Sequence, residues 1–186
     1  LKKHFDTLLS LDTYKSKVAQ AGLDAGADLI NDIWGLKYDT RMADVIAKSK
    51  KACCLMHNRE ESQYTDFRRE IMGDLMETLQ LAQKAGIAAD AIMLDPGVGF
   101  GKTYEHNLMV LHHLEDFNVL GYPVLLGTSR KSVIGLTLDV PAAERTAGTV
   151  ATTAMAVMKG CAFVRVHDVK ENVHAIKMME AVLTAK

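Results

Sequence analysis

The stretch AGIAADAIMLDPGVGFGKT, residues 85–103, decides how the rest of the chain is read. Gly86 stands where a helix would close in a left-handed cap, and an apolar run over residues 91–94 follows it. Asp95 ends that run, and a glycine-rich turn leads onward. The same unit recurs on either side, as AGADLIND around Gly26 and KGCAFVRVHD around Gly160. Six such runs can be read: TLLSLDT, ADLINDI, ACCLMH, AIMLDPG, PVLLGTS and AFVRVH. They are rich in Leu, Ile and Val without alternation, as strands covered on both faces should be. Between them, Phe67, Ile71, Leu75, Leu79 and Ala82 recur at helical spacing, as do Val173, Ile176, Met179 and Val182. Both sets predict core-facing stripes. Strands alternating with helices predict βαβ units and a parallel sheet.

The glycines of LDPGVGFGKT invite a nucleotide-binding reading, and spacing rejects it. A P-loop needs four residues between its first Gly and the Gly-Lys-Ser/Thr triplet; here three residues separate Gly97 from Gly101. The dinucleotide fingerprint needs a third Gly where Lys102 stands. What remains is a strand-to-helix turn, with Asp95 at its head.

Bulk properties narrow the function classes. A chain of 186 residues with 48% hydrophobic and 24% charged content is an ordinary globular one, long enough for a single domain over residues 1–186. A net charge of -1 gives no electrostatic reason to expect nucleic acid or an anionic membrane. No apolar run approaches the length of a transmembrane helix, and the N-terminus makes a poor signal peptide. Cys53, Cys54 and Cys161 lack metal-ligand spacing and lie in apolar runs, which predicts free thiols and a cytoplasmic setting.

The polar residue ending each run is more informative than the run itself. Asp12, Asn31, His57, Asp95, Ser129, Arg165 and His167 all fall at or near a C-terminal strand end. In a (β/α)8 barrel those ends converge on one face and form the active site; in an open sheet they spread along a line. Polar residues on every run favour the barrel. Some could instead be helix N-caps, although Arg165 and His167 do not suit that role. Two carboxylates from different strands can be metal ligands, an acid/base pair, or acceptors for a planar N–H edge such as that of a 2-amino-pyrimidinone. GTSRKS, residues 127–132, brings hydroxyls and cations near a helix start, which suits an oxyanion or a ring carbonyl. Arg165 and His167 lie two apart on one run and should point the same way.

Taken in order, SLDTYK, INDIWGL, CLMHNR, LDPGVGFGKT, LLGTSRKSVIG and VRVHDV resemble the motifs of the dihydropteroate synthases over essentially the whole chain. The resemblance implies a TIM barrel. It also implies a transferase of folate biosynthesis that condenses 6-hydroxymethyl-7,8-dihydropterin pyrophosphate with 4-aminobenzoate and releases pyrophosphate. Carried over, Asp12, Asn31, Met56, Asp95, Gly127, Lys131 and Arg165 should meet the pterin, with Lys131, Arg165 and His167 as catalytic residues. Phe100 and Ser132 should lie beside the aminobenzoate, and Ser132 with His167 should hold the pyrophosphate. Sulfonamide inhibition, a homodimer and Mg2+ are further implications. The Asn that ligates Mg2+ in the family has no counterpart here, so no metal ligand is expected within this chain.

About six of eight β/α units are represented, so the chain reads as lacking the family's first two, and its independent activity is in question. Two other readings stay open: the pterin-binding domain of a corrinoid-linked methyltransferase, and a non-catalytic pterin-binding fragment.

Overall fold

Gly26, Gly86 and Gly160 take φ of 99°, 82° and 78°, and each lies just ahead of a strand. The backbone conformation inferred at these three positions is therefore present, and it is one that L-residues with a Cβ adopt only under strain. A computed structural model describes residues 1–185. It resolves into two units, Leu1–Asn58 with Tyr64–Asp95, and Arg59–Gln63 with everything described from Pro96 onward.

The first unit alternates strictly. β1 (Ser10–Asp12), β2 (Leu29–Asp32), β3 (Ala52–Met56) and β4 (Ile92–Asp95) are separated by α1 (Ser16–Asp24), α2 (Met42–Ser49) and α3 (Phe67–Ala85). The strands form one parallel sheet in the order β1-β2-β3-β4. Register pairs Asp12 with Asn31, Asn31 with Cys54, and Met56 with Asp95. Because all four run the same way, their polar C-terminal residues share one edge of the sheet. The strands are shorter than the apolar runs that announced them, and the ladder runs through Asp12, Asn31, Asp32 and Asp95 before it ends. β2, β3 and β4 are buried almost throughout, as non-alternating runs require.

The second unit carries α4 (Tyr104–His112), β5 (Leu125–Leu126), α5 (Ser132–Leu138), α6 (Thr146–Met158), β6 (Phe163–Val164) and α7 (Val169–Leu183). β5 and β6 pair in parallel. All six expected strands are thus present, each followed by helix.

The two helical stripes fare differently. In α3, Phe67, Ile71, Leu75 and Ala82 are buried while Leu79 is only half-buried, and Thr78 joins the buried set by donating to the Gly35 carbonyl at 3.2 Å. The Asp66 carboxylate caps its first turn by accepting from Arg69 N. In α7 the expected stripe is only partly covered: Val173 is 38% and Val182 56% exposed. The residue that α7 does bury is Asn172, which accepts from Thr153 of α6 at 2.6 Å and donates to the Asp168 carbonyl at 2.7 Å. Ile176 and Met179 are half-buried, so the stripe is covered in part, and Asn172 adds a polar tie to α6.

A longer-range tie holds the first unit's helix starts. Lys15, at the head of α1, offers no side-chain cap. Asp39 supplies one from the approach to α2, accepting from Ser16 N at 2.8 Å and Arg41 N at 3.1 Å. These bonds to Ser16 and Arg41 lower its carboxyl from 3.8 to about 2.

Leu75→Ala should lower unfolding stability by about 2–5 kcal/mol, the usual cost of emptying a buried leucine site. Val182→Ala should stay within about 0.5 kcal/mol, as for an exposed site. Urea denaturation of both variants checks the contrast. A depressed carboxyl stabilises the fold above its unfolded value and loses that contribution as pH falls through its folded one. Asp39→Asn should therefore destabilise at neutral pH, and its gap from the parent should close as pH drops from 3.8 towards 2; urea midpoints across that window measure it.

Candidate functional site

In the first unit, the edge formed by the four strand ends carries Asp12, Asn31, Met56 and Asp95. Asn31 is buried and donates from Nδ2 to Asp12 Oδ2 at 3.1 Å, which orients the more exposed carboxylate. Asp95 is buried, and its carbonyl accepts from His57 N at 2.9 Å, extending the β3–β4 ladder by one bond. His57, which sequence placed among the strand-end polar residues, turns its ring to α3 and pairs Nε2 with Asp74 at 2.9 Å. Buried against a helix, it anchors the chain leaving β3.

The loop after β2 is fixed by Asp32, a residue that pattern reading passed over. It is 1% exposed and accepts from Trp34 N at 2.9 Å and Leu36 N at 2.7 Å. Burial pushes its carboxyl up, against the pull of those two amides. The loop passes through Gly35 and Leu36, both at positive φ, so close to β3 that a Cβ on Gly35 would lie 2.9 Å from the Met56 carbonyl. An Asp followed within a few residues by Gly is an Asx-turn signal, and it could have been found in INDIWG. Beneath this edge, burial followed by the Asp32 charge pushes the Cys53 thiol up to about 12, leaving it inert as a nucleophile.

In the second unit, the segment that resembled a phosphate loop shows what its residues do. Gly97, Gly99 and Gly101 take φ of 71°, 84° and 52°. Lys102 folds its ammonium back onto the carbonyls of Gly97 and Phe100, both at 3.0 Å. Thr103 caps α4 in a reciprocal pair with His106. Asn107 accepts from Gly99 N at 2.6 Å. The lysine and threonine therefore close a turn and start a helix.

Lys131 heads α5, donates to the Val98 carbonyl and lies 4.8 Å from the Phe100 ring centre. This cation–π contact joins two residues expected at the site. Gly127 is buried just beyond β5, and Ser132 is the exposed first residue of α5. Arg165 follows β6 directly and donates its backbone N–H to the Leu126 carbonyl at 3.0 Å. His167 pairs Nδ1 with Ser129 Oγ at 2.9 Å, and Ser129 Oγ also accepts from His167 N at 3.1 Å. Arg130, counted from sequence among the cations of this turn, is engaged with Asp168 instead.

The first unit thus gathers acceptors, two carboxylates and an amide oxygen, which suit a ring edge bearing N–H donors. The second carries an ammonium, a guanidinium, an imidazole and hydroxyls at or just beyond the ends of β5 and β6, residue types that suit an oxyanion or a ring carbonyl. Among the described residues, no three His, Cys, Asp or Glu side chains cluster so as to hold a metal ion. No described helix is long and apolar enough to cross a membrane.

Residues 1–167 match the family described as pterin binding enzyme. The chain is 54% identical over 184 residues to the dihydropteroate synthase of Clostridium beijerinckii, covering 98% of this chain and 68% of that one. It is 50% identical over 183 residues to that of Bacillus subtilis, covering 98% and 64%. Among solved structures it is similar to the dihydropteroate synthase of Clostridium difficile in the presence of pteroic acid. There the TM-score is 0.97 at 44% identity, with coverage of 100% of this chain and 71% of that one. It is also similar to the Yersinia pestis enzyme in complex with a sulfonamide drug, with TM-score 0.94 and 38% identity, covering 100% and 70%. The chain spans roughly two thirds of the length of its curated relatives. The fold class is that of the TIM barrel, with six β/α units in the described residues.

An alanine at Gly101 would need strained backbone and would set its Cβ 2.5 Å from the Arg59 carbonyl. Gly101→Ala should cost on the order of 1–3 kcal/mol. Gly73→Ala, in the middle of α3 with open space around it, should stabilise by about 0.5–1 kcal/mol. Thermal unfolding of the two variants gives opposite signs if the turn is as described.

Proposed function

Because the chain belongs to the pterin-binding enzyme family, as a dihydropteroate synthase, we propose that its two sets of strand-end residues serve the two halves of that family's reaction. Dihydropteroate synthases are transferases of folate biosynthesis that join 6-hydroxymethyl-7,8-dihydropterin pyrophosphate to 4-aminobenzoate. The observation that carries the assignment of roles is the shared edge holding Asp12, Asn31, Met56 and Asp95. There, Asp95 accepts from the 2-amino and ring N–H groups of the pterin, Asp12 with Asn31 takes the rest of its pyrimidine side, and Met56 forms an apolar wall.

In the second unit, Gly127 and Lys131 line the pterin side, with Lys131 reaching the ring oxygen and nitrogen. Arg165 stacks on the bicyclic ring. His167 and Ser132 hold the pyrophosphate, and Phe100 with Ser132 lies beside the aminobenzoate. α5 has seven residues, so these side chains carry more of the anion stabilisation than its short macrodipole does.

The reaction breaks the C–O bond at the exocyclic methylene, and its electron pair leaves with pyrophosphate. The electron-rich ring stabilises the cation, the arylamine nitrogen attacks it, and the amine then loses a proton. The protein's work is to stabilise the departing anion and to hold two flat rings in line. No covalent nucleophile is used. Among the described residues no group of three His, Cys, Asp or Glu side chains would hold Mg2+. Mg2+ is commonly held through substrate phosphates with few protein ligands, so it would enter with the diphosphate.

The relatives' names favour this reading over a corrinoid-linked methyltransferase. Sulfonamides would then compete with the aminobenzoate. Exposed Leu136, Leu138 and Met158 offer apolar surface for a homodimer, and the three free cysteines suit the cytoplasm.

Calorimetric titration with the dihydropterin pyrophosphate, followed by assay of dihydropteroate formation, tests the proposal. Asp95→Asn should weaken pterin binding about 10- to 100-fold, the worth of charge-assisted hydrogen bonds to a ring edge. Unchanged affinity would remove Asp95 from the pterin site.

A further inference from the structure

The turn after β5 and the chain leaving β6 are joined by two side-chain ties. One is the Ser129–His167 pair. In the other, Arg130 donates from Nε to Asp168 Oδ2 at 3.1 Å and from Nη2 to Asp168 Oδ1 at 2.5 Å, a two-pronged grip on both oxygens. We propose that Arg130 and Asp168 are positioning residues of the anion-binding half: Arg130 cancels the carboxylate next to His167, so that a diphosphate can be held there. The inference rests on the diphosphate reading of His167.

Asp168 is the only acidic residue in the VRVHD run, and it directly follows His167. Left unopposed, its charge would repel an anion bound by its neighbour. Arg130, first by its hydrogen bonds and then by its charge, holds the Asp168 carboxyl below the usual range, so Asp168 stays ionised and paired. Thr146 Oγ1 is a third donor to the carboxylate, reaching Oδ2 at 3.2 Å. The geometry suits a guanidinium, whose fork matches both carboxylate oxygens; a lysine could meet one.

Backbone placement of Arg130 does not depend on its side chain. Its φ is 58°, in the left-handed region. That conformation is held by Thr149, whose Oγ1 accepts from Arg130 N at 3.2 Å, and by Arg145, which donates to the Arg130 carbonyl at 2.9 Å. Truncating the side chain therefore removes the charge and leaves the turn seated.

Inorganic pyrophosphate titrated calorimetrically into the parent chain and three variants tests the idea, with 6-hydroxymethylpterin as the probe that lacks a diphosphate. Arg130→Ala should bind pyrophosphate about tenfold more weakly. The double variant Arg130→Ala with Asp168→Asn should recover to within about threefold of the parent, because the unopposed charge is gone. Asp168→Asn alone should bind as well as the parent or better, and it keeps a test in hand if Arg130→Ala unfolds on heating too early to titrate. Binding of 6-hydroxymethylpterin should not change in any of them. A purely structural tie predicts a double variant at least as weak as Arg130→Ala, and that result, or weakened binding by Asp168→Asn, overturns the inference. If the parent itself does not bind pyrophosphate, the diphosphate reading falls and this one with it.

Discussion

Parallel pairing in register is the constraint on which the first unit depends. A parallel ladder places every C-terminal strand end on one edge, so residues far apart in sequence become neighbours. Asp12 and Asn31 are partners in that register, as are Met56 and Asp95. A slip of one residue along β2 would exchange the faces presented by Asn31 and by the buried Asp32. Asp32 guards against this by binding two amides of the following loop, which fixes where β2 must stop.

The two units solve opposite electrostatic problems. In the first, a buried carboxylate is tolerated because backbone N–H groups surround it, with burial still pushing its carboxyl up. In the second, charges meet charges: the Arg130–Asp168 pair is partly exposed and contributes through geometry more than through stability. Ser129 serves His167 twice, through the ring and through the backbone.

Much of the fold was legible because it depends on patterns local to each segment. Six apolar runs became six strands, three glycines took the expected conformation, and four of the five α3 stripe residues are buried. The ordering of motifs located the strand-end residues by number. What escaped was set by partners distant in sequence. Nothing local to GTSRKS says that Arg130 is spoken for by Asp168, thirty-eight residues away. Nothing near Ser16 shows that Asp39 caps its helix. The α7 stripe has the right period, but periodicity reports what a helix could bury; its apolar residues are at most half-buried, and the buried residue is Asn172. His57 looked like a ligand-facing group, and the answer lay in Asp74, on the helix that follows.

The turn spanning residues 97–103 spends its own donors and acceptors internally, through Lys102, Thr103 and Asn107. A loop that closes on itself in this way has its shape before any ligand arrives. The entropy of ordering it is met during folding, so little of the affinity for an incoming ring is lost to freezing its surroundings. Rigidity built in advance is what three glycines, ordinarily the most pliable of residues, provide here.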